Sequence, residues 1–443
     1  MKEGASASAV TVSAEQQSKY RGGTQLRQRY PTVHYLRRKA RTHVPYFAFE
    51  YGDGGAGADG GIARNWAAFD AVQLLPRVGL MPVLPPIDTQ LFGRRYAAPF
   101  GISPMGGPAI VWPGADKLLA AAAQRANVPY TLATTGGITI EEAAAIAPDV
   151  LWFQLSRMAA NDHAHGFDLL RRASEAGVRV LALSVDGAVR TVRPREVHTG
   201  LGGGKFRPGP RMAWQAIRSL GWLRSLMRHG QPRFATIREY VGENPSTNEI
   251  LAFARREIGG AFTWDEIARY RERWQGPLML KGVMDPADAE RAVSLGIDGI
   301  WVSNHGGRQL EAIPPTIDVL PAVASAVGSR ATVLLDSGVR SGLDVVRAVA
   351  LGADAAFAGK AFLWGLGALG PQGPGHVLDL FGDEARAALG LIGARNASEA
   401  RQVVIRHPGA LAFPTDRVDG PPHVQVARAS GRDRIPQGDR SAR

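Results

Sequence analysis

Short apolar runs bounded by Gly, Pro or polar turn residues alternate along the chain with longer stretches in which apolar residues recur three and four apart. The runs are PFGIS (99–103), PYTLAT (129–134), VLWFQL (150–155), VRVLALSV (178–185), PLMLKG (277–282), GIWVSN (299–304), ATVLLDS (331–337) and AAFAGK (355–360), eight in all. The stretches between them, such as ADKLLAAAAQRAN, FDLLRRASEAG, PADAERAVSLG and TIDVLPAVASAVG, carry the spacing of helices that bury one face. Several end in Gly, which a helix C-terminus favours. Each run is apolar nearly throughout, as in a strand covered on both faces. Eight such strands alternating with helices predict a (β/α)8 TIM barrel with parallel strands, whose active site lies where the strands end.

One gap breaks the alternation. The fourth strand ends near Asp186 and the fifth begins near Pro277, and the helical TWDEIARYRERW fills only the last part, so residues 195–260 are expected to be an insertion on the active-site face. Within it, residues 205–233 are basic with Trp, Leu and Met interleaved. Residues 1–25 and 418–443 are rich in Ser, Gly, Gln, Arg and Pro, too poor in large apolar side chains to offset the entropy of ordering. Disordered tails are expected there, leaving 26–417 as the barrel domain.

Charge and composition narrow the function. The 443 residues contain no cysteine, which excludes disulfides, thiolate metal sites and cysteine nucleophiles. A net charge of +12 is concentrated near the N-terminus, in 205–233 and in the last residues, with no nucleic-acid fold signature beside it. The basic excess therefore points to anionic small molecules, phosphates or an anionic membrane surface touched by 205–233, and not to nucleic acid. No signal-peptide core and no long apolar run is present, so a cytoplasmic protein, peripheral on a membrane at most, is expected.

The residues at the strand ends carry the chemistry. They are Met105 and Gly106, Thr134 and Thr135, Gln154 and Ser156, Ser184 and Asp186, Lys281, Ser303 to His305, Asp336, and Gly359 with Lys360. DSGVR after the seventh strand and AGK at the eighth stand where barrels bind phosphate: Gly338 and Gly359 offer backbone N–H groups, Arg340 and Lys360 charge. In SNHGGRQLE (303–311), His305 is a candidate base with Asp186 as the carboxylate that orients it. Arg308 and Arg193 are candidates to clamp a carboxylate. Lys281 by itself leaves open a Schiff-base aldolase, and the basic insertion a non-catalytic membrane-binding scaffold.

SNHGGRQLE, LKGVMDPADAERAVSLG, DSGVRSGLDVVRAVALGA and FEYGDGGAGADGGIARN, in order over roughly residues 30–400, resemble the FMN-dependent 2-hydroxy-acid oxidase and dehydrogenase family, which includes glycolate oxidase, lactate dehydrogenase and mandelate dehydrogenase. The resemblance implies FMN as cofactor and oxidation of a 2-hydroxy acid to the 2-oxo acid, with electrons passed on to a quinone, a carrier protein or oxygen. It makes His305 the base, Asp186 its partner, and Arg308, Arg193 and Tyr51 the carboxylate ligands, with Arg195 an alternative second arginine. Lys281 falls beside the flavin N1 and C2 carbonyl. Pro104, Met105, Gly106, Thr134, Gln154, Ser184 and Ser303 fall around the isoalloxazine, and Asp336, Gly338, Arg340, Gly359 and Lys360 towards the phosphate. Family members are often tetramers.

Departures from the family pattern bear on the substrate. Ser156 replaces a tyrosine, Thr135 stands where glycolate oxidase has tryptophan, and Gly106 where many members have alanine, so a roomier pocket and a bulky or aromatic acid are expected. Lys360 replaces an arginine and Ala133 a common serine. Gly106 and the basic, Trp-containing insertion also resemble the membrane-associated mandelate dehydrogenase.

Overall fold

The computed structural model describes residues 25–80, 83–189, 191–202 and 208–413. The tails expected over 1–25 and 418–443 lie outside the described residues except for Gln25, as do residues 203–207 at the start of the basic stretch. The chain divides into two units, 1–411 and 412–443, and only Ala412 and Phe413 of the second are described.

The first unit is built on eight parallel strands closed into a barrel: β1 (Phe100–Ile102), β2 (Tyr130–Ala133), β3 (Leu151–Leu155), β4 (Val180–Ser184), β5 (Leu278–Val283), β6 (Gly299–Val302), β7 (Thr332–Leu335) and β8 (Ala355–Ala358). They pair in chain order, and β8 closes onto β1 through Ala356↔Phe100. Seven fall within the apolar runs, and β5 passes the end of its run by one residue, Val283. The predicted helices between them are also present, including Ala115–Ala126, Pro286–Ser294, Thr316–Val327 and Gly342–Ala350.

The lower barrel is filled by large aromatic side chains. Trp152 of β3, Trp301 of β6 and Phe357 of β8 are fully buried, with the Trp301 and Phe357 rings 4.6 Å apart. Glycine on neighbouring strands makes room for them, since a Cβ at Gly101 would lie 2.4 Å from Phe357. This packed floor leaves space only towards the C-terminal ends of the strands.

Two sets of elements cover that end. Before the barrel, helices Val33–His43, Tyr46–Asp53 and Gly60–Ala71 fold across it. Asp53 fixes them: it receives Arg37 Nε at 2.6 Å, Arg195 Nη2 at 3.0 Å and Trp364 Nε1 at 3.0 Å. Burial works to raise the Asp53 carboxyl, but its hydrogen bond to Arg37 and the charges of Arg37 and Arg195 bring it below its ordinary value. The insertion is the second cover and is helical, with Pro194–His198, Pro210–Arg218, Leu220–His229, Ala235–Arg238 and Thr247–Glu257 among its elements. Trp222 anchors it, buried against Phe47 in a T-shaped contact and donating from Nε1 to Ile110 O at 3.2 Å.

Candidate active site

Between the strand ends and these covers lies a cavity of about 850 Å³. Its polar wall includes Gln154, Ser184, Asp186, Lys281, His305, Arg308, Asp336, Arg340 and Lys360, together with Tyr51, Arg193 and the backbone of Pro104, Met105, Gly106, Gly338 and Gly359. Residues from all eight strand ends, Ala133 and Thr135 of the second included, thus meet at one place, joined by the N-terminal cover and the insertion.

The loop after β6 is shaped by its glycines. His305, Gly306 and Gly307 have φ of +58°, +69° and +73°, three left-handed residues in succession. Gly307 packs so closely on the N-terminal cover that a Cβ would sit 2.9 Å from Ile62 N, and its carbonyl accepts from Ala56 N at 2.9 Å. Asn304 holds the turn: its Oδ1 accepts from Gly307 N at 3.1 Å, and its amide pairs reciprocally with that of Asn65. The strained backbone turns the His305 ring to Asp186, with Nδ1 at 3.1 and 3.3 Å from the two carboxylate oxygens. The Asp186 carboxyl is raised by burial, but the facing His305 and the Lys281 charge more than offset that and hold it below its ordinary value. With Nδ1 engaged, Nε2 is the nitrogen free to take a proton.

Lys281 is buried at the top of β5, with Nζ 2.6 Å from both Ser303 Oγ and Asp336 Oδ2 and 5.0 Å above the Trp301 ring. Asp336 also accepts from Ser103 at 3.2 Å and from Ser337 at 2.8 Å. An ammonium fixed in this way places a positive charge in the cavity wall, suited to stabilising an anion beside it. The same ion pair works against a Schiff-base role, which needs a free amine.

The residues present fit an FMN. A buried ammonium, the Gln154 amide and the Ser184 hydroxyl stand at one part of the cavity, and Gly338, Gly359 and the Arg340 guanidinium at another. Arg340 is 9% exposed; its Nη2 donates to Asp70 Oδ1 at 2.9 Å, and its Nε, which makes no hydrogen bond, lies 3.5 Å from Asp344 Oδ2. Among the described residues, no cluster of three or more His, Asp or Glu could hold a metal.

Several expected residues are placed otherwise. Thr134 is fully buried with its hydroxyl turned to the backbone, donating to Gln154 O at 2.8 Å and accepting from Ser156 N at 2.8 Å; its neighbours Ala133 and Thr135 line the cavity instead. Ser303 lies behind Lys281 as its partner rather than in the wall. Lys360 Nζ reaches the carbonyls of Asp53 at 3.0 Å and Gly54 at 2.8 Å, because the helix Tyr46–Asp53 ends there and leaves carbonyls unsatisfied. Its ammonium is spent on that helix end, and burial followed by the charge of Arg308 pushes it well below its ordinary value. Arg195 is likewise engaged by Glu50, Asp53 and Asp59, which removes it as an alternative to Arg193.

Arg308 is engaged through both of its terminal nitrogens. Its Nη1 donates to Tyr51 O at 3.0 Å and Gly54 O at 2.7 Å, and its Nη2 to Glu196 Oε1 at 2.6 Å. Burial, then the neighbouring charge of Arg193, holds it below its ordinary value. Arg193 Nη1 is 3.3 Å from the same Glu196 oxygen. Tyr51 donates to Gly106 O at 2.6 Å, and burial followed by the charge of Glu196 raises its phenol. Glu196 and Asn65 are the participants that sequence reasoning missed; the only signal for Glu196 was its position three residues after Arg193, on one face of a helical turn.

The sequence matches the FMN-dependent dehydrogenase family over residues 40–407. It is 37% identical over 364 residues to an L-lactate dehydrogenase of Chromohalobacter salexigens, covering 82% of this chain and 92% of the relative. An L-lactate dehydrogenase of Caulobacter vibrioides is 36% identical over 371 residues, covering 84% and 96%. Among solved structures, the monotopic membrane protein (S)-mandelate dehydrogenase superposes with a TM-score of 0.78 at 29% identity, covering 83% of this chain and 97% of the other. Mandelate oxidase superposes with a TM-score of 0.73 at 31% identity, covering 86% and 100%.

Proposed function

This chain belongs to the FMN-dependent dehydrogenase family, and from that membership we propose that it oxidises an L-2-hydroxy acid with a bulky, including aromatic, side chain to the 2-oxo acid, with His305 as the base. Its class, an FMN-dependent 2-hydroxy-acid oxidoreductase, follows from the family and the relatives. The observation that carries the role of the base is the His305–Asp186 pair at the wall of a cavity that also holds a buried lysine.

FMN, when bound, takes up the two electrons that leave the substrate. Lys281, Gln154 and Ser184 would hold its ring system, and Gly338, Arg340 and Gly359 its phosphate. Arg308 and Arg193 fix the substrate carboxylate, with Tyr51 beside them, so that C2 faces His305. Nε2 of His305 takes a proton from the substrate, and Asp186 stabilises the imidazolium that results. Ser156 and Thr135 line the cavity with small side chains, and the insertion adds Met212, Trp222, Leu226 and Ile250, an apolar wall suited to a large substrate side chain.

For the acceptor we infer a membrane quinone, reached by peripheral attachment. On the outer faces of Pro210–Arg218 and Leu220–His229, Trp214, Leu220 and Met227 are exposed among Arg211, Arg218, Arg224 and Arg228, the composition of a helix lying in an anionic interface. No helix among the described residues is long and apolar enough to cross a membrane.

The test is the anaerobic visible spectrum of the FMN-loaded protein during titration with L- and D-2-hydroxy acids from lactate to mandelate. Bleaching by an L-acid with a large side chain is expected. A flavin that no acid bleaches would overturn the reading.

A further inference from the structure

The arginine pair that a 2-hydroxy acid needs is already in use. Glu196 Oε1 lies 2.6 Å from Arg308 Nη2 and 3.3 Å from Arg193 Nη1. The other face of Arg308 is taken by the carbonyls of Tyr51 and Gly54, and the Tyr51 hydroxyl by Gly106 O. Glu196 is no outlying surface charge: its side chain is 14% exposed and lines the cavity. One carboxylate held by two guanidiniums is the contact that a substrate carboxylate would make. The chain thus holds a copy of that group in the substrate's seat.

We propose that Glu196 sets the affinity threshold of the site, as a resident carboxylate that an incoming 2-hydroxy acid has to displace from Arg308 and Arg193. The inference rests on the reading that these arginines receive the substrate carboxylate. Displacement costs every acid the same free energy, whatever its side chain. Only an acid with a large apolar side chain offsets that cost, by burying it against Leu226, Ile250 and Trp222 in the same cavity. Glu196 therefore raises the affinity threshold for all acids, and the apolar wall decides which acids pass it. Two like charges cannot share the pair cheaply, so the acid and Glu196 exclude one another.

The two contributions separate in a binding experiment with unreactive acids. Acetate and phenylacetate are titrated into FMN-loaded wild type, E196Q and L226A, with affinity read from the flavin difference spectrum, and KM and kcat are measured for lactate and mandelate. E196Q is expected to bind both acetate and phenylacetate about tenfold or more tightly and to lower KM for both substrates with little change in kcat. The ratio between the two acids stays as in the wild type. L226A weakens phenylacetate and leaves acetate unchanged. E196A is read in the same way should E196Q fail to hold FMN. If the wild type binds acids and is bleached by a 2-hydroxy acid, but both Glu196 variants bind acids equally or more weakly, the inference is wrong and the functional reading stands. If neither wild type nor variants bind any acid, both are overturned together.

Discussion

A single side chain divides the proposed chemistry from the binding that supports it. His305 faces the cavity from a left-handed backbone position and touches Asp186. Lys281 and Arg340 approach from other strands. H305N should therefore keep FMN and its spectrum while kcat falls roughly 10²–10⁴-fold, the usual loss when a general base is removed. An H305N variant with wild-type turnover in stopped-flow reduction would exclude it as the base. His305 was legible because it stands among glycines where a buried strand ends, and the backbone angles give those glycines their reason. At the second strand Ala133 and Thr135 line the cavity while the Thr134 hydroxyl turns to the backbone, because a strand end names adjacent residues and the sequence does not say which one turns inward. Glu196 was illegible for another reason: a carboxylate three residues from an arginine reads as an ordinary helical ion pair until Arg308, more than a hundred positions away, is seen beside it.

At the level of elements, the eight strands were readable because each is covered on both faces and so is apolar nearly throughout. The covers were not. Val33, Leu36 and Ala40 have helical spacing and are buried, but they stand in a segment so basic that charge hid the period. The insertion was expected only as a segment, and its helices use two faces: Trp222 and Leu226 towards the cavity, Trp214 and Met227 outward. Its outward face carries the membrane reading. Replacing Trp214, Leu220 and Met227 together by Ser should abolish co-sedimentation with vesicles containing anionic phosphatidylglycerol and leave FMN content unchanged. Undiminished vesicle binding by this variant would assign the attachment elsewhere.

Across the whole molecule, the cofactor is a structural partner as well as a reagent. The proposed FMN contacts come from β3, β4, β5, β7 and β8 and the loops that follow them, so a ligand joining them stabilises the barrel as a unit. Removing FMN should lower the unfolding free energy by about 2.7 kcal/mol relative to a solution holding it at a hundredfold excess over Kd. Thermal unfolding of the apo and reconstituted protein measures this, and an unchanged Tm would mean that FMN binds elsewhere or weakly.

The Asp53 hub has a consequence for the order in which the protein comes into being. Asp53 is bound by Trp364, 311 positions later in the chain, and Lys360 reaches back to the same helix end. During synthesis the first cover leaves the ribosome long before the strand and helix that seat it exist. Until then Asp53 lacks its indole partner and the helix end lacks the Lys360 ammonium, with only Arg37, Arg195 and Arg308 made to hold it. A nascent chain halted before Lys360 would carry most of the barrel and His305, yet no finished seat for flavin or substrate. Activity is thus withheld until the final β/α unit arrives, and a cover made before the barrel is among the last parts to settle.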